Sequence, residues 1–247
     1  MKSKTKKKYN KSLEKKVIDA GLDALRIGRA FPSESSLVEL LSVGRSTLRE
    51  TLARLEESGL LFRSQGSKTL INEFAIGLAG RFDQFGDFSE VISSAGMKPI
   101  FEVLSEKIHP WAGLEHIRFR EEPDFVMRSV KRWKADGVPA RAVVDIVPLP
   151  TDSDYGNMMQ AESVLKAVER IFGERVTWEI SVPTAVIATT ELVEWLMVPP
   201  KSPLLLLRGV GVTSSGKECF RTLDYHVPDL VPQAIIRTAK KIASQSN

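Results

Sequence analysis

Five consecutive residues, Arg45-Ser46-Thr47-Leu48-Arg49, put two guanidinium groups and two short hydroxyls within little more than one helical turn. These groups pair with guanine edges and phosphate oxygens in a DNA major groove. At ~100° per residue, Leu48, Leu52 and Leu55 fall in one narrow arc that must be buried. Ser46, Arg49 and Ala53 fall off that arc, so the arginine-bearing face is free to meet a partner. Gly59 stops the helix. Two strand candidates follow, Leu60–Arg63 and Thr69–Asn72, joined by the polar tip Ser64-Gln65-Gly66-Ser67-Lys68. Gln65, Gly66 and Lys68 at that tip are placed to lie along a neighbouring minor groove.

The elements before this helix are those needed to position it. Ser33 suits an N-cap and Glu34 the first turn of a short helix. Leu37, Leu40 and Leu41 give that helix its apolar face, and Val43-Gly44 breaks the period. A helical pattern from Ser12 (Leu13, Val17, Ile18, Leu22, Leu25) supplies a further helix to pack behind the pair. Two short helices, a glycine turn and a basic hairpin in this order read as a winged helix-turn-helix rather than as an ordinary surface helix pair.

The charge distribution agrees. Residues 1–73 carry 15 Lys/Arg against 9 Asp/Glu, a net of +6, whereas residues 74–247 carry 20 against 22, a net of −2. The positive field lies on the DNA-reading part. Lys2, Lys4, Lys6, Lys7, Lys8 and Lys11 open the chain as a basic arm, a disordered tail or a loose phosphate contact. A single cysteine, Cys219, excludes an internal disulfide and suits a reducing cytoplasm. No apolar run reaches the ~18–20 residues of a membrane span. The basic N-terminus lacks the apolar core of a secretory signal, so a cytoplasmic protein without membrane contact is expected.

Chemistry of the catalytic kind is thin. His109, His116 and His226 are scattered, no metal-spaced cluster or activated nucleophile occurs, and Gly209-x-Gly211 lies inside an apolar run rather than opening a helix. The expectation is a non-enzyme with neither cofactor nor metal.

Residues 74–86, with three glycines, read as a linker whose phenylalanines pack on a domain or on a partner subunit. Beyond it the sequence predicts a short helix over Asp87–Gly96, a strand over Ile100–Ile108 and a helical turn near Trp111–Ile117. Phe125–Lys134 and Val138–Val147 form a hairpin around Asp136-Gly137. A helix over Ser163–Phe172 ends at Gly173. Val176, Trp178, Ile180 and Val182 alternate with Thr177, Glu179 and Ser181, the pattern of a half-buried strand. Glu191–Met197 is a short helix, Leu204–Val212 a central strand, Glu218–Val227 a last strand and Val231–Ala243 a closing helix. This order argues for an antiparallel α+β domain over 87–243.

Residues 32–72 resemble the DNA-binding domain of GntR-type bacterial regulators, through Pro32-Ser33-Glu34, Arg45-Ser46-Thr47-Leu48-Arg49, Leu55-Glu56-Glu57-Ser58-Gly59-Leu60 and Gln65-Gly66. The resemblance implies groove contacts by Arg45, Ser46, Thr47 and Arg49, and a wing contact at Gly66. This chain carries Ser35 where that family usually has Arg, and Gly44 where it has Ser.

The remainder resembles the UTRA effector domain of the HutC-like branch, through Phe88-Ser89, Lys131…Asp136-Gly137-x-Pro139, Pro148, Ala188-Thr189-Thr190-Glu191 and Ser202-Pro203-Leu204-Leu205. A chorismate-lyase-like antiparallel sheet with an effector pocket is implied, and with it the effector-binding candidates Phe88, Ser89, Lys131, Trp133, Thr177, Phe220, Tyr225 and His226. Lys131 and Arg132 alternate on one strand, as do Tyr225 and His226, so only one of each pair faces the pocket. Trp133 and Phe220 are residue types more often found as core aromatics than as ligand platforms, and Arg221 reads as a carboxylate clamp or a surface charge.

Sugar-phosphate-sensing members have two arginines where Lys131 and Trp133 stand and acidic residues where Val143 and Phe220 stand. A carboxylate or phosphonate-like anion with an apolar body therefore fits better than a sugar. The whole reads as a ligand-responsive repressor, released by a small effector from a palindromic operator on double-stranded DNA and acting as a homodimer. The alternatives are a lyase-like enzyme on the C-terminal fold and a DNA-binding regulator without a ligand.

Overall fold

The computed structural model describes residues 2–63, 68–78, 80–83, 86–113, 117–150 and 163–237. The chain divides into two compact units, Met1–Asp83 with Ala234–Asn247, and Gln84–Gln233. The bounds expected from sequence are 1–73, a linker over 74–86, and 87–243; the first unit here also takes residues 74–83 and 234–247.

The first unit is three helices and a hairpin: α1 (Lys2–Arg26), α2 (Glu34–Leu41), α3 (Arg45–Glu57), β1 (Leu61–Phe62) and β2 (Leu70–Ile71). The lysine-rich opening of the chain is continuous with α1. Ser33 caps α2, its hydroxyl accepting from Ser36 N–H, and Gly44 begins α3 with no side-chain cap. Leu13, Val17 and Ile18 of α1 pack with Leu37 of α2, Leu48, Leu52 and Leu55 of α3, and Leu61 of β1. At Gly21 a Cβ would come within 2.5 Å of the Phe31 ring, so α1 requires glycine there. Antiparallel pairing sets Leu61 opposite Ile71 and Phe62 opposite Leu70. A four-residue helix, α4 (Glu73–Ile76), follows with Asn72 as its cap, inside the segment expected to be linker. Phe74 on it is 93% exposed on this chain.

The closing helix expected over Val231–Ala243 is not what forms over its described part. Gln233–Ala234 is instead a short strand, β10, beside β3 (Gly80–Arg81), and Phe82 N–H donates to Ala234 O at 3.0 Å. Pro232 disfavours helical backbone at Val231, the first residue of the expected helix. Residues 238–243 lie outside the described residues.

The second unit is one six-stranded antiparallel sheet in the order β4-β5-β6-β9-β8-β7. Its strands are β4 (Pro99–Pro110), β5 (Phe125–Ala135), β6 (Val138–Leu149), β7 (Val176–Ile187), β8 (Pro203–Thr213) and β9 (Glu218–His226). Asp136 and Gly137 turn β5 into β6 with φ of 50° and 84°, the two left-handed positions such a hairpin requires.

Two helices, α5 (Phe88–Ser94) and α6 (Val164–Phe172), cover one face. Phe88 and Ile92 pack on Trp133 and Val143, while Ala167 and Val168 pack on Met127, Val147 and Phe220. The opposite face carries α7 (Thr190–Leu196), whose Leu192 and Leu196 meet Ala142 and Leu204. Trp111–Gly113 forms no helical turn; Trp111 N–H instead donates to Asp124 O at 2.8 Å, prolonging the β4–β5 pairing. Residues 114–116 lie outside the described residues.

Strand β7 departs from the half-buried strand that its alternation predicts. A bulge between Val176 and Trp178 turns Val176 toward α6 and leaves Trp178, Ile180 and Val182 on the other face. Those three are 67%, 61% and 56% exposed, on a strand at the edge of the sheet.

Candidate nucleic-acid interface and effector site

On α3 the burial alternates as an amphipathic helix dictates. Leu48, Thr51, Leu52 and Leu55 face inward, Arg45, Ser46 and Arg49 are exposed, and Thr47 is half-buried. Thr51 Oγ1 donates to Thr47 O at 2.8 Å, which keeps its hydroxyl satisfied inside the core.

Arg49 is not loose. Its Nε donates to Glu34 Oε2 at 2.9 Å, and Arg63, just past β1, donates from Nη2 to Glu34 Oε1 at 2.8 Å. One carboxylate in the first turn of α2 thus holds two guanidiniums from α3 and the hairpin. Those bonds, Arg49's foremost, hold the Glu34 carboxyl below its ordinary range against the desolvation that opposes them. Lys68 is exposed at the far side of the hairpin. Gln65 and Gly66 lie outside the described residues. Arg63 and the clamping role of Glu34 were not among the sequence candidates, because nothing local in the sequence pairs residues 15 and 29 positions apart.

In the second unit, a buried polar patch lies between the apolar clusters under α5 and α6. Cross-strand register assembles it. Ser129, Asp145 and Thr222 share one row, Lys131, Val143 and Asp224 the next, and Trp133, Arg141 and His226 the third. Lys131 Nζ donates to Asp145 Oδ2 at 2.9 Å with both side chains out of solvent. Arg141 grips Asp224 with two bonds of 2.7 and 2.6 Å, and its guanidinium lies 4.8 Å from the Phe88 ring centre and 4.9 Å from that of Trp133. His226 Nε2 stands 3.0 Å from Asp224 Oδ1, while Gln233 Nε2 is 3.2 Å from His226 Nδ1.

Burial pushes the Asp224 carboxyl up, but Arg141 and His226 outweigh it and hold the group well below the ordinary range. Glu179 is the converse. Desolvation raises it, Asp224 and Asp145 add to the rise, and the bond from Ser181 Oγ with the more distant Arg141 only partly opposes. Glycine permits this crowding, since a Cβ on Gly209 would stand 2.6 Å from Glu179 Oε1 and one on Gly211 would stand 2.0 Å from the Phe220 ring. Ser129 Oγ and Trp133 Nε1 are buried without a hydrogen-bond partner among the described residues. A site that can accept and donate further bonds is what such atoms provide.

Of the sequence candidates, Phe88, Lys131, Trp133 and His226 converge on this patch. Phe220 shares the face but packs into the α6 cluster. Ser89 sits half-buried on α5, its N–H donating to Asp87 Oδ1 at 2.9 Å. Thr177 falls in the β7 bulge, exposed. Tyr225 faces the other side of the sheet, against the α7 cluster, because strand alternation gives the inward position to His226. Arg132 and Arg221 are likewise on that other side: Arg132 bonds Glu102 and Trp195 O, and Arg221 bonds Glu218. Arg141, Asp145, Asp224 and Glu179 were missed. Their only signal is register, which sequence alternation does not contain.

Comparison with known proteins bears on both units. Residues 15–71 match the family of bacterial regulatory proteins called gntR. The HTH-type transcriptional regulator Mce2R of Mycobacterium tuberculosis is 47% identical over 47 residues, 19% of this chain and 20% of that protein, so the match spans about a fifth of the relative's length. The HTH-type transcriptional repressor NagR of Bacillus subtilis is 24% identical over 190 residues, 75% of this chain and 76% of that one.

Among solved structures, the possible transcriptional regulator YydK of Bacillus subtilis has a TM-score of 0.66 at 11% identity, covering 94% of this chain and 99% of that one. PhnF of Mycobacterium smegmatis has a TM-score of 0.54 at 18% identity, covering 89% and 98%. At these identities the likeness is one of fold, and it extends over both units. These relatives are named as regulators rather than as enzymes. Among the described residues no helix is long and apolar enough to cross a membrane.

Proposed function

We propose, from a chain whose residues 15–71 are a GntR-family helix-turn-helix domain, that this protein is a transcription regulator acting as a homodimer on a palindromic operator. The observation that carries the reading is the exposed Arg45, Ser46 and Arg49 face on a helix whose other face is sealed into a leucine core. A repressor released by a small molecule is the mode we favour, as NagR is itself named a transcriptional repressor. The wing tip, with Gln65, Gly66 and Lys68, completes the proposed DNA contact.

For the effector we propose the patch around Lys131, Arg141 and His226. A carboxylate or phosphonate-like anion would enter by exchanging with Asp145 or Asp224, its apolar body resting against Phe88 and Trp133. Ser129 Oγ and Trp133 Nε1 support this, since both are buried without a hydrogen-bond partner among the described residues.

The test is a gel shift on the DNA upstream of the protein's own gene, with and without a panel of carboxylates and phosphonates. We expect Arg49→Ala to weaken specific binding by about 5- to 150-fold, the equivalent of about 1–3 kcal/mol for one bidentate arginine. The same variant should retain the thermal shift that any active panel member gives the wild type. Loss of both together would refute two separable sites. Binding to DNA that no panel member alters would favour a regulator without a ligand.

A further inference from the structure

Tyr225 faces away from the effector patch, and so do four arginines of the same sheet. Cross-strand register sets Arg128, Ile146 and Arg221 in one row of that face, Val130, Val144, Leu223 and Arg208 in the next, and Arg132, Ala142 and Tyr225 in the third. Helix α7 lies over this face and brings Trp195 into the apolar cluster that Leu223 and Tyr225 join.

Two of these arginines are engaged. Arg132 bonds Glu102 and Trp195 O, and Arg221 bonds Glu218. The other two are not. Arg128 lies over the Trp195 ring, 5.9 Å from its centre, and neither it nor Arg208 has a hydrogen bond or ion pair among the described residues. Arg208 Nε is also out of solvent. A buried N–H without an acceptor is costly, and it calls for a group from outside the chain to serve it. The Tyr225 hydroxyl likewise has no hydrogen bond among the described residues. Both guanidiniums reach it electrostatically, opposing the rise that burial gives its phenol. Of the other charges on this side, Lys107 is exposed opposite Arg128 on β4. Glu191, exposed in the first turn of α7, also acts on Tyr225 but pairs with neither arginine.

We propose that Arg128, Arg208 and the Tyr225 hydroxyl form a second oxyanion site, on the α7 face of the sheet, and that it takes a phosphoryl group. A phosphate ester is close to doubly charged at neutral pH, so two unpaired guanidiniums balance it; a carboxylate would leave one positive charge over. It also offers three oxygens for two forked donors and one hydroxyl, where a carboxylate offers two. The sheet itself separates this site from the patch around Lys131, so neither assignment depends on the other.

The test uses the full chain and phenylglyoxal, which labels accessible guanidiniums, with each arginine read by peptide mass spectrometry. Inorganic phosphate and phenyl phosphate are compared with sodium chloride at matched ionic strength. We expect both to protect Arg128 and Arg208 with one shared midpoint, while the exposed Arg29 labels as it does in chloride. Arg208→Gln, its folding checked by circular dichroism, should raise the midpoint at Arg128 about tenfold or more, since a charge-assisted bond is lost. A lower midpoint for phenyl phosphate than for inorganic phosphate assigns the source to an ester, and equal midpoints assign it to the free ion; either sustains the site. Three results would overturn it. Labelling that neither phosphate slows means that no phosphoryl group sits there. An Arg128 midpoint unchanged in Arg208→Gln means that the two arginines do not act together. Failure of the reagent to reach either arginine in chloride means that this face is closed to small anions.

Discussion

Replacing Asp145 by Asn tests whether the polar patch is held as ion pairs. Lys131 Nζ and Asp145 Oδ2 are 2.9 Å apart, and neither side chain sees solvent. Removing one charge from such a pair leaves the other buried and uncompensated, at a cost of about 3–5 kcal/mol. The amide oxygen of Asn still accepts a bond from the ammonium, so the lower end applies, about 3 kcal/mol. For a unit of about 150 residues each kcal/mol moves the melting midpoint by about 2–4 °C, hence a fall of about 6–12 °C. The assay is urea unfolding followed by tryptophan fluorescence and by circular dichroism, reading the transition of the second unit. The double variant Lys131→Met with Asp145→Leu removes both charges at similar volume, and it should recover most of the loss, because apolar replacement of a buried pair is often neutral or better. If the single variant loses less than about 1 kcal/mol, or the double is worse than the single, the pair is not the buried ionic contact inferred here.

Two further outcomes follow from the same unit. The Glu179 carboxyl is raised in the folded chain above its ordinary value of 4.5, so folding stability is fully present below that value and declines as pH rises through the folded value. Glu179→Gln removes the titration, and its melting midpoint should exceed that of the wild type at pH 8 but match it near pH 4; an offset constant across that range would contradict the desolvated carboxyl. The buried Cys219 thiol is pushed up to about 12, chiefly by burial. At pH 8 Ellman's reagent should therefore label the protein only after denaturation, and fast labelling of the native chain would refute its burial.

The helix-turn-helix was legible because it is built from local order. Leucines at helical spacing, a capping serine and a glycine stop each act within a few residues, and the structure needs nothing more to place Arg45 and Arg49 outward. The sheet was legible as strands but not as a surface. Alternation tells that Lys131 and Arg132 oppose each other, and that Tyr225 and His226 do; only the pairing of β5, β6 and β9 decides which member joins Asp145, Arg141 and Asp224. Val176, Trp178, Ile180 and Val182 look like one face in sequence, and a single bulge at Thr177 splits them between two. The C-terminal segment misled for a related reason: apolar spacing suggested helix, while Pro232 disfavours helical backbone at Val231 and pairing beside Gly80–Arg81 made strand.

The proposed DNA-reading face and effector patch both hold their cations with carboxylates, and burial makes the consequence different in each. Glu34 engages Arg49 and Arg63 where all three side chains are partly or largely solvated, so each pair contributes at most about 1 kcal/mol. If this face meets DNA as proposed, a phosphate can replace Glu34 there at small cost. Arg141 with Asp224 and Lys131 with Asp145 are desolvated pairs, and prising one open exposes a buried charge unless the newcomer restores the lost bonds. An anion that only matches the charge would therefore fail at the patch; one that also bonds Ser129 Oγ or Trp133 Nε1 and covers the aromatic rings would not. Selectivity at the proposed effector patch would thus follow from burial, whereas the proposed DNA-reading face, screened and exposed, should answer chiefly to salt.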